Sequence, residues 1–308
     1  MSPPALPKAL LAALALLLLA SGEARAAGIL DTLFTAQEWQ AKGDLPAARE
    51  TVLDALKQGP DDSFARIRLA QLDAALGNPG VALKSLDAVL LQDPDNQLAL
   101  LWKGHILLGP SPPGDTAQAR ECYQRVLAKD PANAWAMAGM GICLLAEGTP
   151  QAAVPLLEKA QALAGDDGPL HHVLGDTYAA MGLMANARME LEQALEENQR
   201  DLPALVGLGG VYMRLGLESL ALNAWQQALT VDPTNGEARA RLVAVLSIQA
   251  RKAAASGRSD DATRLWRTIM GYDPGNAEAL WNLRNPGEPA RGAALHPPGG
   301  IIPPGPPQ

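Results

Sequence analysis

Aromatic side chains are scarce in this chain, at 4% of 308 residues with only two phenylalanines. Alanine and leucine dominate instead, which favours helices over strands. Basic clusters are missing and the formal net charge is -8, so the electrostatic footprint of a nucleic-acid binder is absent. Only four histidines and two cysteines occur. His171 and His172 are adjacent, so on a helix they point about 100° apart and cannot grip one ion as an i, i+4 pair can. His105 and His296 add no cysteine or histidine cluster to them, and no metal or cofactor site is expected.

No apolar run is long enough to span a bilayer comfortably. The longest near the N-terminus, Ala9 to Ala20, falls short of the roughly 20 residues a spanning helix needs. With Lys8 before it and the A-x-A sequence Ala24-Arg25-Ala26 after it, residues 1–27 read as a secretory signal peptide cleaved near Ala26. The alternative is an uncleaved N-terminal anchor. Cleavage would remove Lys8, Arg25 and Glu23 and leave the mature chain one unit more negative. The signal predicts a periplasmic or secreted protein with no stable membrane span once mature. In such a compartment Cys122 and Cys143 could form a disulfide, or they could be two small buried hydrophobes.

What the chain does have is a period. Alanine recurs at Ala48, Ala82, Ala119, Ala153, Ala187, Ala221 and Ala262, in steps of 34, 37, 34, 34, 34 and 41. Pro60, Pro94, Pro131, Pro233 and Pro274 keep the same register. The stretch Leu202 to Asn235 shows the unit most clearly. Counted from Leu202, it carries Leu208 at position 7, Gly209 at 8, Tyr212 at 11, Gly216 at 15, Ala221 at 20, Ala228 at 27 and Pro233 at 32. Small residues at these positions let two amphipathic helices cross closely, glycine breaks the chain between them, and proline ends the second.

This spacing resembles the tetratricopeptide repeat, a 34-residue helix–turn–helix unit. The resemblance covers residues 29–283 and implies an all-α, right-handed superhelical solenoid of antiparallel helix pairs, about seven units plus a capping helix. Three domains are predicted: the signal peptide at 1–27, the solenoid at 28–284 and a Pro/Gly-rich tail at 285–308. Repeat three carries a three-residue insert in a stiff loop, Gly109 to Gly114, and Pro155 should kink the second helix of repeat four. Repeat seven is lengthened by seven residues around Gln249 to Gly257, and Ala277 to Leu283 starts a cap. The tail, with eight prolines and five glycines after Asn285, is expected to be disordered.

No catalytic set is present. Gly207-Leu208-Gly209-Gly210 lacks the preceding strand and the lysine of a phosphate loop and fits close helix packing. Asp166-Asp167 and Asp260-Asp261 fit turns and helix starts. The chain is therefore expected not to be an enzyme. The resemblance implies that the first helix of each pair lines a concave groove. The groove residues it assigns are Phe64, Ile67, Leu98, Leu101, His105, Leu108, Trp135, Ala138, Ile142, Leu145 and His172, centred on Trp135 with Leu101 and Ile142. This apolar set suits an amphipathic helix or an extended apolar segment. It lacks the lysines and asparagines of carboxylate-gripping members, with Arg68 and Arg214 at the edge. Packing of these side chains on one another is the competing explanation. The expected function is a scaffold for assembling an envelope complex such as a pilus, secretion or exopolysaccharide-export system. The alternative is a chaperone-like binder of periplasmic clients such as cytochrome-maturation substrates. Either way the expected partner is a protein or peptide.

Overall fold

The structure is a computed structural model describing residues 24–109 and 115–285. The expectations for the leader before Ala24, the tip of the Gly109–Gly114 loop and the Pro/Gly-rich tail lie outside those residues. The first described helix begins at Ala24, so the residues of the expected cleavage site stand in its first turn. Among the described residues there are fifteen α-helices and no strand.

The helices follow the repeat frame. Repeat one is α1 (Ala24–Ala41) and α2 (Leu45–Gln58), repeat two α3 (Ser63–Ala75) and α4 (Pro79–Gln92), repeat three α5 (Gln97–Leu107) and α6 (Thr116–Lys129). Repeat four is α7 (Ala134–Ala146) and α8 (Pro150–Ala164), repeat five α9 (Gly168–Ala180) and α10 (Met184–Glu197), and α11 (Leu202–Arg214) opens repeat six. Then come α12 (Glu218–Val231), the long α13 (Gly236–Ala255), α14 (Ser259–Tyr272) and the terminal α15 (Ala277–Arg284). The seven extra residues of repeat seven thus lengthen a first helix, α13, to 20 residues. α8 runs on through Pro155.

Two local devices set these boundaries. Asp62, Asn96, Asn133, Asp167, Asp201, Asn235 and Asn276 each cap a first helix, their side chains accepting the backbone N–H three residues on. Each such cap contributes about 1 kcal/mol. At the other end, Gly77, Gly148, Gly182 and Gly216 turn the chain with φ of 80°, 75°, 81° and 74°, a left-handed conformation that glycine adopts at low cost.

The alanine frame is the packing frame. Ala48, Ala82, Ala119, Ala153, Ala187 and Ala221 are fully buried, and Ala262 nearly so. Opposite them, the position-8 glycines leave hollows for large side chains. A Cβ on Gly104 would meet the Tyr123 ring at 2.7 Å, and one on Gly141 or Gly175 would meet Leu157 or Leu191 at 2.6 Å. Gly207 lies in α11 close to Asp176 and Leu191, as close helix packing requires. Cys122 and Cys143 are both buried and free, in one cluster with Tyr123, Leu100 and Val126.

The chain divides into two compact units, one ending at Leu217 and containing α1–α11, the other starting at Glu218 and containing α12–α15. In the first unit the second helix of each pair packs on its own first helix and on the next one. Consecutive first helices α3, α5, α7, α9 and α11 also touch in turn. The buried side chains form successive clusters, from Leu33–Leu72 through Ile67–Ile106 and Leu100–Cys143 to Met137–Val211. In the second unit α12 packs on α13, α13 on α14 and α14 on α15, around Ala250, Ala253, Trp266 and Ile269.

Candidate protein-binding surface

The strip of first helices in the first unit carries the residues assigned to the groove, distributed over several core clusters. On α3, Ile67 is buried within a core cluster, while Phe64 is half-buried against the cluster of Leu33 and Leu72. On α5, Leu98 and Leu101 are half-buried, as is Leu108 at its C-cap. His105 stands edge-on to Trp102 with ring centroids 5.6 Å apart, and burial holds its pKa below the ordinary value. On α7, Ala138 is inside the core, whereas Ile142 and Leu145 stay half-buried. On α9, His172 is half-buried with Nε2 3.3 Å from Asp176 Oδ2. Burial opposes its protonation, but the Asp176 carboxylate outweighs this and raises its pKa. Ile67 and Ala138 therefore act through packing, and the side chains with free surface are the half-buried ones.

Trp135 is held in place by the last residue of its own repeat, Asp167. Its indole Nε1 donates to Asp167 Oδ2 at 2.8 Å, while Asp167 Oδ1 accepts the Leu170 N–H at 3.1 Å. One carboxylate thus caps α9 and fixes the largest aromatic side chain of α7. Asp167 was legible as a helix start; its grip on Trp135 was not, though the two stand 32 residues apart, close to one repeat.

Arg68 differs from its expected place. It is 5% exposed, inside the fold, with Nη1 donating to Gln71 Oε1 at 2.8 Å and Nη2 to Gln40 Oε1 at 2.5 Å. Among the described residues no carboxylate lies within ion-pair distance of it, and burial lowers its pKa to about 10. Beside it on α3, Asp73 Oδ1 accepts from Arg49 Nε at 2.5 Å, while Asp73 Oδ2 and Gln71 Nε2 are buried without partners. Asp73 occupies position 11, which is tyrosine in repeats five and six as Tyr178 and Tyr212, and that departure was the available signal. Arg214 is exposed and donates to the Ala179 carbonyl at 3.0 Å.

A second buried polar group joins α9 to α10. His171 Nδ1 lies 2.8 Å from Glu190 Oε2, and His171 Nε2 lies 2.9 Å from the Gly165 carbonyl oxygen. All of this stands beside Tyr178, whose hydroxyl is buried without a partner. Among the described residues no group of three histidine, cysteine, aspartate or glutamate side chains could hold a metal ion. Nor is any described helix long and apolar enough to cross a membrane.

Helix pairs of this length, with an alanine-and-glycine crossing and a polar cap between pairs, agree with the family comparison. A tetratricopeptide repeat-like domain matches residues 12–142, and a tetratricopeptide repeat matches residues 144–208. The chain carries tetratricopeptide-repeat domains. Beyond residue 208 the succession of α-helices continues to Arg284. Among curated proteins the chain is 23% identical over 258 residues to human DnaJ homolog subfamily C member 3, covering 77% of this chain and 51% of that protein. It thus spans about half the length of the curated relatives it matches. Among solved structures it resembles TTC0263, a tetratricopeptide-repeat protein of Thermus thermophilus, with a TM-score of 0.52 and 24% identity over 60% of this chain and 98% of that one. It also resembles PilW, a widely conserved type IV pilus biogenesis factor, with a TM-score of 0.51 and 21% identity over 70% of this chain and 98% of that one. These structural likenesses concern the tetratricopeptide fold.

Proposed function

We propose that this protein is a non-catalytic interaction scaffold of the cell envelope, receiving an apolar peptide or helix on the first-helix strip of its N-terminal unit. The observation that supports this reading best is Trp135. A large aromatic side chain sits partly buried on α7 against the cluster of Met137 and Leu170, with its polar edge satisfied by Asp167, on the helix that also carries the half-buried Ile142 and Leu145. Such rigid aromatic anchors carry a large share of binding energy at interfaces. The apolar leader and its A-x-A site favour a periplasmic or secreted location, and the likeness to a pilus biogenesis factor favours an assembly role.

The test is capture from envelope extract by the full chain and by the Trp135→Ala, Ile142→Ala double variant, with helix content followed by circular dichroism. One partner in stoichiometric yield, lost from the double variant with helix content kept, is the expected result. Unchanged capture would remove the groove assignment. A broad set of weakly held polypeptides would instead favour client binding. Protein sequencing of the mature N-terminus tests the location, with a first residue at Ala27 expected.

A further inference from the structure

The buried His171 is surrounded by acceptors. Glu190 of α10 faces its Nδ1, and the carbonyl of Gly165, at the end of α8, faces its Nε2. Asp167, from the turn before α9, adds a second negative charge, and Glu158 of α8 with Glu190 acts on the neighbouring Tyr178 hydroxyl. Neither the Glu190 carboxylate nor a carbonyl oxygen brings a proton of its own, so both contacts are hydrogen bonds only when the ring carries two protons. Burial disfavours that charge, but the bonds to Glu190 and to Gly165, with the Glu190 and Asp167 charges, outweigh it and leave the pKa raised.

The Gly165 end of this arrangement is unusual. The Asp167 N–H donates to the Ala164 carbonyl at 3.0 Å, but Gly165, at φ 56° and ψ -121°, does not cap α8 with its own N–H as the C-cap residues of α4, α6 and α10 do. Its carbonyl is held by His171 instead. Two residues on stands Asp167, whose side chain holds the indole of Trp135. The three-residue turn is thus pinned at one end by His171 and at the other carries the contact that orients Trp135.

We propose that His171, Glu190 and the Gly165 carbonyl form a proton-operated latch on the turn between repeats four and five, and that the latch sets how firmly Trp135 is held. When the imidazolium gives its proton to solvent, one N–H remains. The Glu190 carboxylate is the stronger acceptor and keeps it at Nδ1. The lone pair of Nε2 then faces the lone pair of the Gly165 carbonyl, that bond is lost, and the turn loosens around Asp167. Binding on the strip becomes weaker as pH rises through the latch. Only this last consequence rests on the proposed function; the latch itself is read on the free protein.

The experiment is a histidine-ring and indole nitrogen NMR titration of the full chain without partner, with Trp135→Phe used to assign the indole signal. Expected is a His171 ring protonated on both nitrogens below its ordinary value of 6.5, losing the Nε2 proton at a midpoint above it. The Trp135 indole resonance should move with the same midpoint. Glu190→Gln, which keeps an acceptor but removes the charge, should bring both midpoints down together. His171→Gln should abolish the indole response, while His172→Gln should leave it in place. A His171 ring already neutral below 6.5 would overturn the proposal. So would an indole response that survives His171→Gln and Glu190→Gln unchanged, or one absent while His171 titrates. If the titration follows expectation and the capture experiment fails, the latch stands and the groove reading falls.

Discussion

Two buried polar groups in the N-terminal unit make opposite use of charge. Between repeats four and five, His171 has both ring nitrogens engaged, by Glu190 and by the Gly165 carbonyl. Between repeats one and two, Arg68 is as buried but meets only glutamine carbonyls, and Gln71 Nε2 and Asp73 Oδ2 find no partner. The histidine ring of the first group is fully bonded in one protonation state and not in the other, so it can respond to pH. The second stays cationic at neutral pH and leaves donors and acceptors unsatisfied, which costs stability without offering a switch.

The comparison can be broken most forcefully at Glu190. Glu190→Ala leaves His171 buried without its carboxylate, and should cost about 3 kcal/mol at a pH below the histidine value, less above it where the ring is neutral anyway. Chemical denaturation at two pH values checks this, and an equal loss at both would count against the protonated ring. Next in size is Gly165→Ala. A Cβ at that φ and ψ is strained although the space around it is open, and a loss of about 1–3 kcal/mol is expected in the same measurement.

On the other side, Arg68→Met alone strands the Gln71 amide and should cost about 1–2 kcal/mol. Arg68→Met with Gln71→Leu removes both halves of an incomplete group and should recover most of that loss or exceed the parent stability. A double variant as unstable as the single would mean that the arginine cluster is better satisfied than its hydrogen bonds indicate. The wild-type melting temperature should also depend on pH. The folded His171 pKa lies above its unfolded value, so this stabilisation is complete below 6.5 and lost as pH rises through the folded value. Smallest is Asp176→Asn, which weakens a half-exposed contact to His172 and should change stability by no more than about 0.5 kcal/mol.

The packing frame was legible in the sequence because size is a strict constraint at fixed spacing. Ala82 or Ala187 cannot grow without separating two helices, and Gly175 must leave room for Leu191. The caps could have been read too. The runs Asp93-Pro94-Asp95-Asn96 and Asp232-Pro233-Thr234-Asn235 each end in the residue that caps the next helix. The polar groups were out of reach for another reason. Arg68 meets Gln40 across 28 residues and His171 meets Glu190 across 19, at positions the repeat leaves free to vary. Such positions follow no period, so spacing says nothing about which of them will meet. Among the groove residues, Ile67 and Ala138 share position 5 of their repeats and entered the core, while Ile142 and Leu145, at positions 9 and 12, kept some surface.

The account turns on whether the first-helix strip is where a partner sits. Site-specific photocrosslinking decides this most directly, with p-benzoylphenylalanine placed at Ile142 on α7 or at Leu163, an exposed position on the second helix α8. The account predicts one dominant adduct from position 142, suppressed by Trp135→Ala, and little from position 163. Equal adducts from both positions, or a dominant adduct from 163, would contradict it.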